Sequence, residues 1–495
     1  MNASLLLVVP VLVPVLSGLL LAAARPLREG RAQRVFLIGV LALNAVIVLS
    51  LILRADMSLE FFRLTDRLPL LFRLDDLARL FCALTALIFL LVGIYCPVYM
   101  RHQGSEQRFY MFFLFVLGML QGFGLSGNLL TLYLFFEVAT LFSMPLVLHS
   151  MKKDAIAAAL RYLYFSVAGA ALSLIAFFFI FSYGITLEFT PGGVLNTESL
   201  AGNEGQILFV TLLAIIGFGA KAGMFPLHSW LPVAHPIAPA PASAILSGLI
   251  TKIGIFAVIR FVYYIAGPDF IRGTWVQAAW IFLALFSGIM GSLLAFGEHA
   301  LKRRLAYSTI SQIGYIMFGL AILTATGFVG AMLQVVFHSV AKSGLFLVAG
   351  AIIMKTHHHE AADLRGIGKQ MPVSMWCFAL ATLSIVGIPP LAGFTGKWFL
   401  AAGSLAADTG FFTWLGPVLL LFSALLAAGY LLPIVINGFF TGAGNNADKN
   451  IKYEKCEPAF SMVLPVLLLA AAAVIFGVFP GGLISFFEQI ASMVL

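Results

Sequence analysis

The stretch GFGAKAGMFPLHSWLP, residues 217–232, lies in a run apolar enough to cross a bilayer, yet it carries Lys221 near its middle and prolines at 226 and 232. Proline inside a helix removes a hydrogen bond and clashes with the preceding turn, at a cost of ~3 kcal/mol. A lysine at the bilayer centre costs roughly 2.5–3.5 kcal/mol on insertion scales. Irregular backbone at membrane depth survives where it is buried in protein or lines a wet cavity. A span that carries both features therefore points to an interior pathway.

The surroundings agree. Of 495 residues, 61% are hydrophobic and 10% charged, against roughly 25% charged in a soluble domain. Apolar runs of about 20 residues, enough to cross a ~30 Å hydrocarbon layer, recur throughout. They predict an all-α integral membrane protein, a single membrane domain over 1–495, with fourteen transmembrane spans near 4–24, 35–53, 77–99, 109–126, 129–149, 158–182, 207–227, 240–265, 276–296, 305–323, 329–354, 373–402, 415–438 and 459–486. No Lys or Arg precedes the first run, Leu5 to Ala24, and PLREGRAQR follows it, so it is expected to remain as a first helix and not as a cleaved signal.

Basic residues test that count. Eighteen of the 29 Lys and Arg fall in odd-numbered loops, among them Arg28, Lys302, Lys449 and Lys452, and seven in even loops and adjoining helix ends, five of these in one amphipathic stretch between residues 54 and 79. By the positive-inside rule both termini lie on the outer side of the cell (plasma) membrane. The net charge of +8 is thus a topology signal, and nucleic-acid binding is excluded. Cys82, Cys96, Cys377 and Cys456 form no CxxC or Cys/His set, so no cofactor, metal or redox centre of the chain's own is expected. HHHE at 357–360 reads as a solvated loop and GAGNN at 442–446 as linker.

Four basic residues remain, Lys221, Lys252, Lys342 and Lys397, all inside predicted spans, and only one carboxylate, Glu137 in LYLFFEVATLFSMPL, sits comparably deep. One-to-one pairing cannot neutralise the set. Burial disfavours the ammonium form and a nearby carboxylate restores it, so a lysine with a movable acidic neighbour can hold and release a proton. Glu137 is the natural neighbour for Lys221. His338 lies four residues before Lys342 in VVFHSVAKSGLFL, on the same helical face, and imidazole can take a proton at one nitrogen and pass it on from the other. The alternative is structural: interhelical ion pairs, or snorkelling side chains, the latter plausible only for Lys397 near the end of its run.

A second interruption, IVGIPPLAGFTGKW at 385–398, puts two prolines and three glycines between 387 and 396 beside Lys397. Paired interrupted helices in two halves point to a repeat and its ion site. The breaks in spans 7 and 12 predict two five-helix units, spans 4–8 (109–265) and 9–13 (276–438), after three N-terminal helices (1–108) and before a C-terminal helix (459–486).

FFEVATLFS, KAGMFPLHSWLPVAHPIAPAPASAILSGLITKIGIFAVIR, LKRRLAYSTISQIGYI, HSVAKSGLFLVAG and GIPPLAGFTGKW together resemble the antiporter-like subunit family shared by respiratory complex I, group 4 membrane-bound hydrogenases and Mrp cation/proton antiporters, over about residues 70–440. The resemblance implies two inverted five-helix repeats and proton translocation in a multisubunit complex. It places the helix-5 glutamate on Glu137, the helix-7 and helix-8 lysines on Lys221 and Lys252, the central relay on His338 and Lys342, and the terminal lysine on Lys397. Proton entry would be cytoplasmic, near the first repeat, with Lys397 gating the outer half-channel. A lysine at 397, and a chain expected to lack the lateral helix of the largest complex I member, favour the D-type subunit of an Mrp antiporter or its relative in a hydrogenase or compact complex I. HPIAPAPASAILSG resembles the hydrogenase and complex I versions more closely. Expected partners are other membrane subunits, protons or Na+, and lipid. Two rivals remain at this stage: a self-sufficient transporter binding a small solute at the broken helices, and a scaffold whose buried charges only fix packing.

Overall fold

The computed structural model describes residues 3–27, 29–196, 200–440 and 454–495; Arg28, Lys449, Lys452 and the GAGNN segment lie outside the described residues. The chain is overwhelmingly helical. In order come α1 (Val9–Ala23), α2 (Gly30–Ile52), α3 (Asp76–Gln103), α4 (Glu106–Gly124), α5 (Leu129–Val147), α6 (Lys153–Tyr183), α7 (Glu204–Ala222) and α8 (Leu231–Ile237). Then follow α9 (Ala240–Ala266), α10 (Trp275–Gly297), α11 (Leu301–Ala321), α12 (Ala325–Thr356), α13 (Pro372–Val386), α14 (Ala392–Leu405), α15 (Phe411–Phe439), α16 (Phe460–Val478) and α17 (Gly481–Val494). Among the described residues, ten helices are long and apolar enough to cross a membrane.

Both foreseen interruptions are present. α7 stops at Gly223 and α13 at Gly387, with φ of +87° and +92°, a left-handed conformation open to glycine at little cost. The predicted span 207–227 thus ends five residues early, because Gly223 and Pro226 cannot continue the helix. A third break, at Phe479–Pro480, divides the predicted span 459–486 into α16 and α17.

The expectation of an all-α chain is corrected by a β-hairpin, β1 (Met57–Thr65) and β2 (Leu68–Leu74), paired antiparallel from Met57 opposite Leu74 to Thr65 opposite Leu68. Its many charges read as an amphipathic loop, but β2 buries Leu71, Phe72 and Leu74 and its backbone is tied to the α4–α5 turn: Leu71 N–H donates to Thr131 Oγ1 at 2.9 Å and Asn128 Nδ2 to Pro69 O at 2.7 Å. Side chains at Asp75, Asn128 and Thr324 accept from the first turns of α3, α5 and α12, satisfying donors that the helix leaves free.

The two innermost spans are α9 and α12, 100% and 94% buried over their apolar windows, whereas α2, α15 and α16 are 33% buried. A helix apolar all round belongs inside other protein, and these two carry Lys252, His338 and Lys342. Neighbouring helices approach through small residues: a Cβ on Gly169 would lie 2.5 Å from Gly217 O across the α6–α7 contact, and one on Gly314 2.7 Å from Ala284 O across α10–α11. Such contacts let membrane helices close-pack where no hydrophobic effect drives them together.

Arg260, read from sequence as a helix-end charge, is buried in α9 and donates to Asp75 Oδ1 at 2.7 Å. Burial alone would raise the Asp75 carboxyl, but the Arg260 charge and the Ala78 N–H outweigh it and hold it below the usual range. The stability this group adds is in force above the ordinary carboxylate range and is lost as pH falls through the lowered folded value. Asp75→Asn keeps the cap and removes the charge. It is expected to cost about 3 kcal/mol, because a buried arginine loses its counter-ion, read as a lower thermal midpoint of the purified protein.

Candidate functional site: a buried line of amines and an imidazole

Lys221 sits in the last turn of α7, fully buried. Its Nζ donates to Phe136 O at 2.7 Å and to Thr140 Oγ1, and lies 4.4 Å from the Phe136 ring centroid. Glu137, the expected neighbour, is half-buried and forms no salt bridge with it among the described residues. One residue turns the side chain by about 100°, so Phe136 and Thr140 meet the amine directly, while Glu137 stays near enough to act on Lys221 through its charge.

Lys252 follows a π-helical turn, Leu246–Ile250. Such a turn takes the backbone out of its i→i−4 ladder, often at functional positions. Lys252 Nζ donates to Ser247 O at 2.7 Å and lies 2.5 Å from His338 Nδ1 on α12. The same contact serves either protonation state: an ammonium donates to a bare Nδ1, or a neutral amine accepts from Nδ1–H. His338 Nε2 has no partner among the described residues. His338 and Lys342 remain electrostatic neighbours. They share a face of α12, but Lys342 Nζ turns to α11, donating to Leu305 O at 3.0 Å and to Ser308 Oγ.

Lys397 does not snorkel. It reaches back across the break to donate to Ile385 O at 2.7 Å and Val386 O at 2.6 Å, with the Tyr315 ring centroid 5.4 Å away. The last carbonyls of α13 lack helical partners and carry the negative end of the helix dipole, so a cation is favoured there.

The structure therefore joins Lys252 to His338 directly, seats Lys221 and Lys342 on the carbonyl and hydroxyl groups of neighbouring helices, and leaves Glu137 and Lys397 half-buried on the flanks. The direct acceptors of all four lysines are neutral, and among the described residues Lys221 alone also has a carboxylate, Glu137, acting on it from nearby. Neutral acceptors do not lock in the charged form as a carboxylate would, so each amine can exist with or without its extra proton.

A family model described as "NADH:quinone oxidoreductase/Mrp antiporter, TM" matches residues 126–423. The chain belongs to this family. NADH-quinone oxidoreductase subunit N of Desulforudis audaxviator is 32% identical, covering 83% of this chain and 82% of its own length. The D-type subunit of the Na+/H+ antiporter of Bacillus subtilis is 28% identical over 99% of this chain and 97% of its own. A chain in the structure of the Mrp complex from Dietzia sp. superposes with a TM-score of 0.85 at 22% identity, covering 100% of this chain and 98% of that one, and so shares the fold. The matched region contains every site residue named above.

Three features of this oxidoreductase/antiporter family member escaped the sequence reading. His235, in α8 between the two backbone breaks, is fully buried and stacked 4.5 Å from the Phe346 ring, with neither nitrogen partnered among the described residues. Its signal was a histidine in the proline-rich block, there read only as a helix break. Lys302, counted as a loop charge within its KRR cluster, is buried and donates to Ala238 O at 2.9 Å. Gln334, one turn before His338, donates to Gln312 Oε1 at 2.6 Å, and a Cβ on Gly396 would lie 2.7 Å from Gln334 Oε1. This amide pair joins the surroundings of His338 to those of Lys397. His357, His358 and His359 are exposed.

Proposed function

We propose that this protein is the proton-translocating membrane subunit of a multisubunit assembly in the plasma membrane, either a cation/proton antiporter or a redox-driven pump. The observation that carries the reading is the buried line itself: three titratable side chains, Lys252, His338 and Lys342, at 0% exposure on the two innermost helices, with Lys221 and Lys397 at the two broken ones. Buried ionisable groups are costly, and within a membrane they mark ion pathways.

In this reading the chain has fourteen spans with both termini outside, built as three N-terminal helices (1–108), inverted repeats at 109–265 and 276–438, and a C-terminal helix (459–486). The matching glycine breaks after α7 and α13, each with its lysine, support the repeat. Glu137 and Lys221 receive protons, Lys252, His338 and Lys342 pass them across the centre, and Lys397 delivers them to the outer half-channel. A cavity of about 580 Å³ lined by Asp154, Arg161, His228, Ser229 and Arg303 beneath α8 supports cytoplasmic entry beside the first repeat. Partner subunits fit the half-exposed Glu137, whose carboxylate is only partly compensated within the chain by Tyr133 and Lys221 and is expensive where it meets lipid. The relatives include both a quinone oxidoreductase subunit and an antiporter subunit, and the energy source is whichever the partners supply.

Purification of the native assembly through a tag on this chain tests the reading. Co-purifying membrane subunits, with proton flux in the reconstituted assembly and little or none from the isolated chain, are the expected result. Full transport by the single chain would overturn the subunit reading and favour a self-sufficient transporter. Na+-dependent flux with small membrane partners would select the antiporter, and iron–sulfur partners the redox pump.

A further inference from the structure

Apart from the amines and the imidazole, the second half of the protein buries a cluster of hydroxyls that packing does not require. Ser292 on α10, Ser311 on α11 and Ser423 on α15 lie mutually within hydrogen-bond distance, at 2.8 Å, 2.6 Å and 3.1 Å, and the Tyr315 hydroxyl donates to Ser423 Oγ at 2.6 Å. All four are at most 2% exposed. Serine in a membrane helix has an inexpensive partner in the carbonyl four residues back. Ser339 and Ser173 use it, donating to Val335 O and Gly169 O. The three clustered serines turn across helix boundaries instead, to one another and, for Ser423 and Ser292, also to Gly288 O and Ser423 O. Close backbone approach makes this possible: a Cβ on Gly291 would lie 2.6 Å from Ser311 N.

The cluster has two ends. At one, the Tyr315 ring lies beside Lys397 Nζ. At the other, the buried Tyr430 hydroxyl on α15 lies near Ser292 and Ser308, with no hydrogen bond of ordinary geometry among the described residues. Ser308 is itself the hydroxyl that receives Lys342 Nζ.

We propose that Ser308, Tyr430, Ser292, Ser311, Ser423 and Tyr315 form a hydroxyl conduit that carries protons between Lys342 and Lys397, alongside the His338–Gln334 face. The inference rests on the relay reading above. In one passage the Lys342 ammonium gives up a proton and the Lys397 amine gains one. Each hydroxyl between them accepts one proton and releases its own, so one positive charge moves and every hydroxyl is restored. The ring of three serines can reverse the direction of its hydrogen bonds by rotating hydroxyls, with none left unpaired, which suits repeated passage. Lys397 connects when its amine swings from the Ile385 and Val386 carbonyls to the Tyr315 hydroxyl, and disconnects when it returns.

The test uses the native assembly carrying Tyr430→Phe or Tyr315→Phe. Each keeps its ring and loses one oxygen, and Tyr430→Phe removes a hydroxyl with no hydrogen bond of ordinary geometry among the described residues, so its fold is expected to be kept. Both variants are expected to assemble normally and to lower proton flux about tenfold, the factor set by one hydrogen bond's contribution to a barrier, with an altered solvent deuterium isotope effect. Ser339→Ala, which removes a hydroxyl bonded only within its own helix, is expected to leave flux unchanged. Wild-type flux and isotope effect in Tyr430→Phe would overturn the conduit, whatever Tyr315→Phe does, because the link to Lys342 would be absent. If Lys397→Met abolishes flux while both phenylalanine variants pump normally, only the conduit falls. If Lys397→Met also pumps normally, the relay reading beneath it falls.

Discussion

Lys221→Met is expected to lower proton translocation by the assembled complex at least about a hundredfold, the range lost when a positioned proton carrier is removed, while leaving assembly intact. Both halves follow from the contacts. Lys221 Nζ is held by Phe136 O and Thr140 Oγ1, and Thr140 Oγ1 also donates to Phe136 O at 3.3 Å, so loss of the amine strands no buried carbonyl. Methionine conserves the volume, a change that usually costs under about 1.5 kcal/mol, and the substitution removes the desolvation penalty of a buried cation. A scaffold role makes the opposite forecast, since transport and assembly would then fall together. Subunit content by gel and flux in reconstituted vesicles separate the two.

Lys397→Arg has the second large expected effect and is the more discriminating. Guanidinium keeps the positive charge at the C-terminus of α13 and can still donate to the Ile385 and Val386 carbonyls, so the broken helix stays capped. It does not release its proton in any accessible pH range. Flux is therefore expected to fall about a hundredfold with the thermal midpoint near that of the wild type. If the positive charge alone mattered, by fixing the break or repelling other cations, the arginine variant would transport normally. Proton flux across pH 6 to 9 checks this.

The lysines were legible because an apolar run makes a charged residue conspicuous. Lys221, Lys252, Lys342 and Lys397 are named by subtraction alone, and the glycine–proline breaks at 223–226 and 387–390 are as plain. What each amine touches was not legible, since contacts depend on which faces of separate helices meet. Lys252 and His338 are 86 positions apart and meet only because α9 and α12 pack together. Glu137 is the charged neighbour of Lys221, as expected, but the atoms the amine bonds on α5 belong to Phe136 and Thr140. Local context misled in two further places. The charges of residues 57–74 concealed a hairpin in which β2 alone is well buried, and the KRR cluster concealed a buried Lys302. His235 was hidden by its surroundings, where five prolines drew the reading to the backbone.

The central claim, that protons cross the middle of this protein through titratable side chains, depends most on the contact between Lys252 and His338. The direct measurement is proton flux in liposomes holding the purified assembly, comparing wild type with Lys252→Met at equal subunit content. The account predicts that driving force and partners remain while proton flux disappears. Flux at the wild-type rate in the Lys252→Met assembly would contradict it.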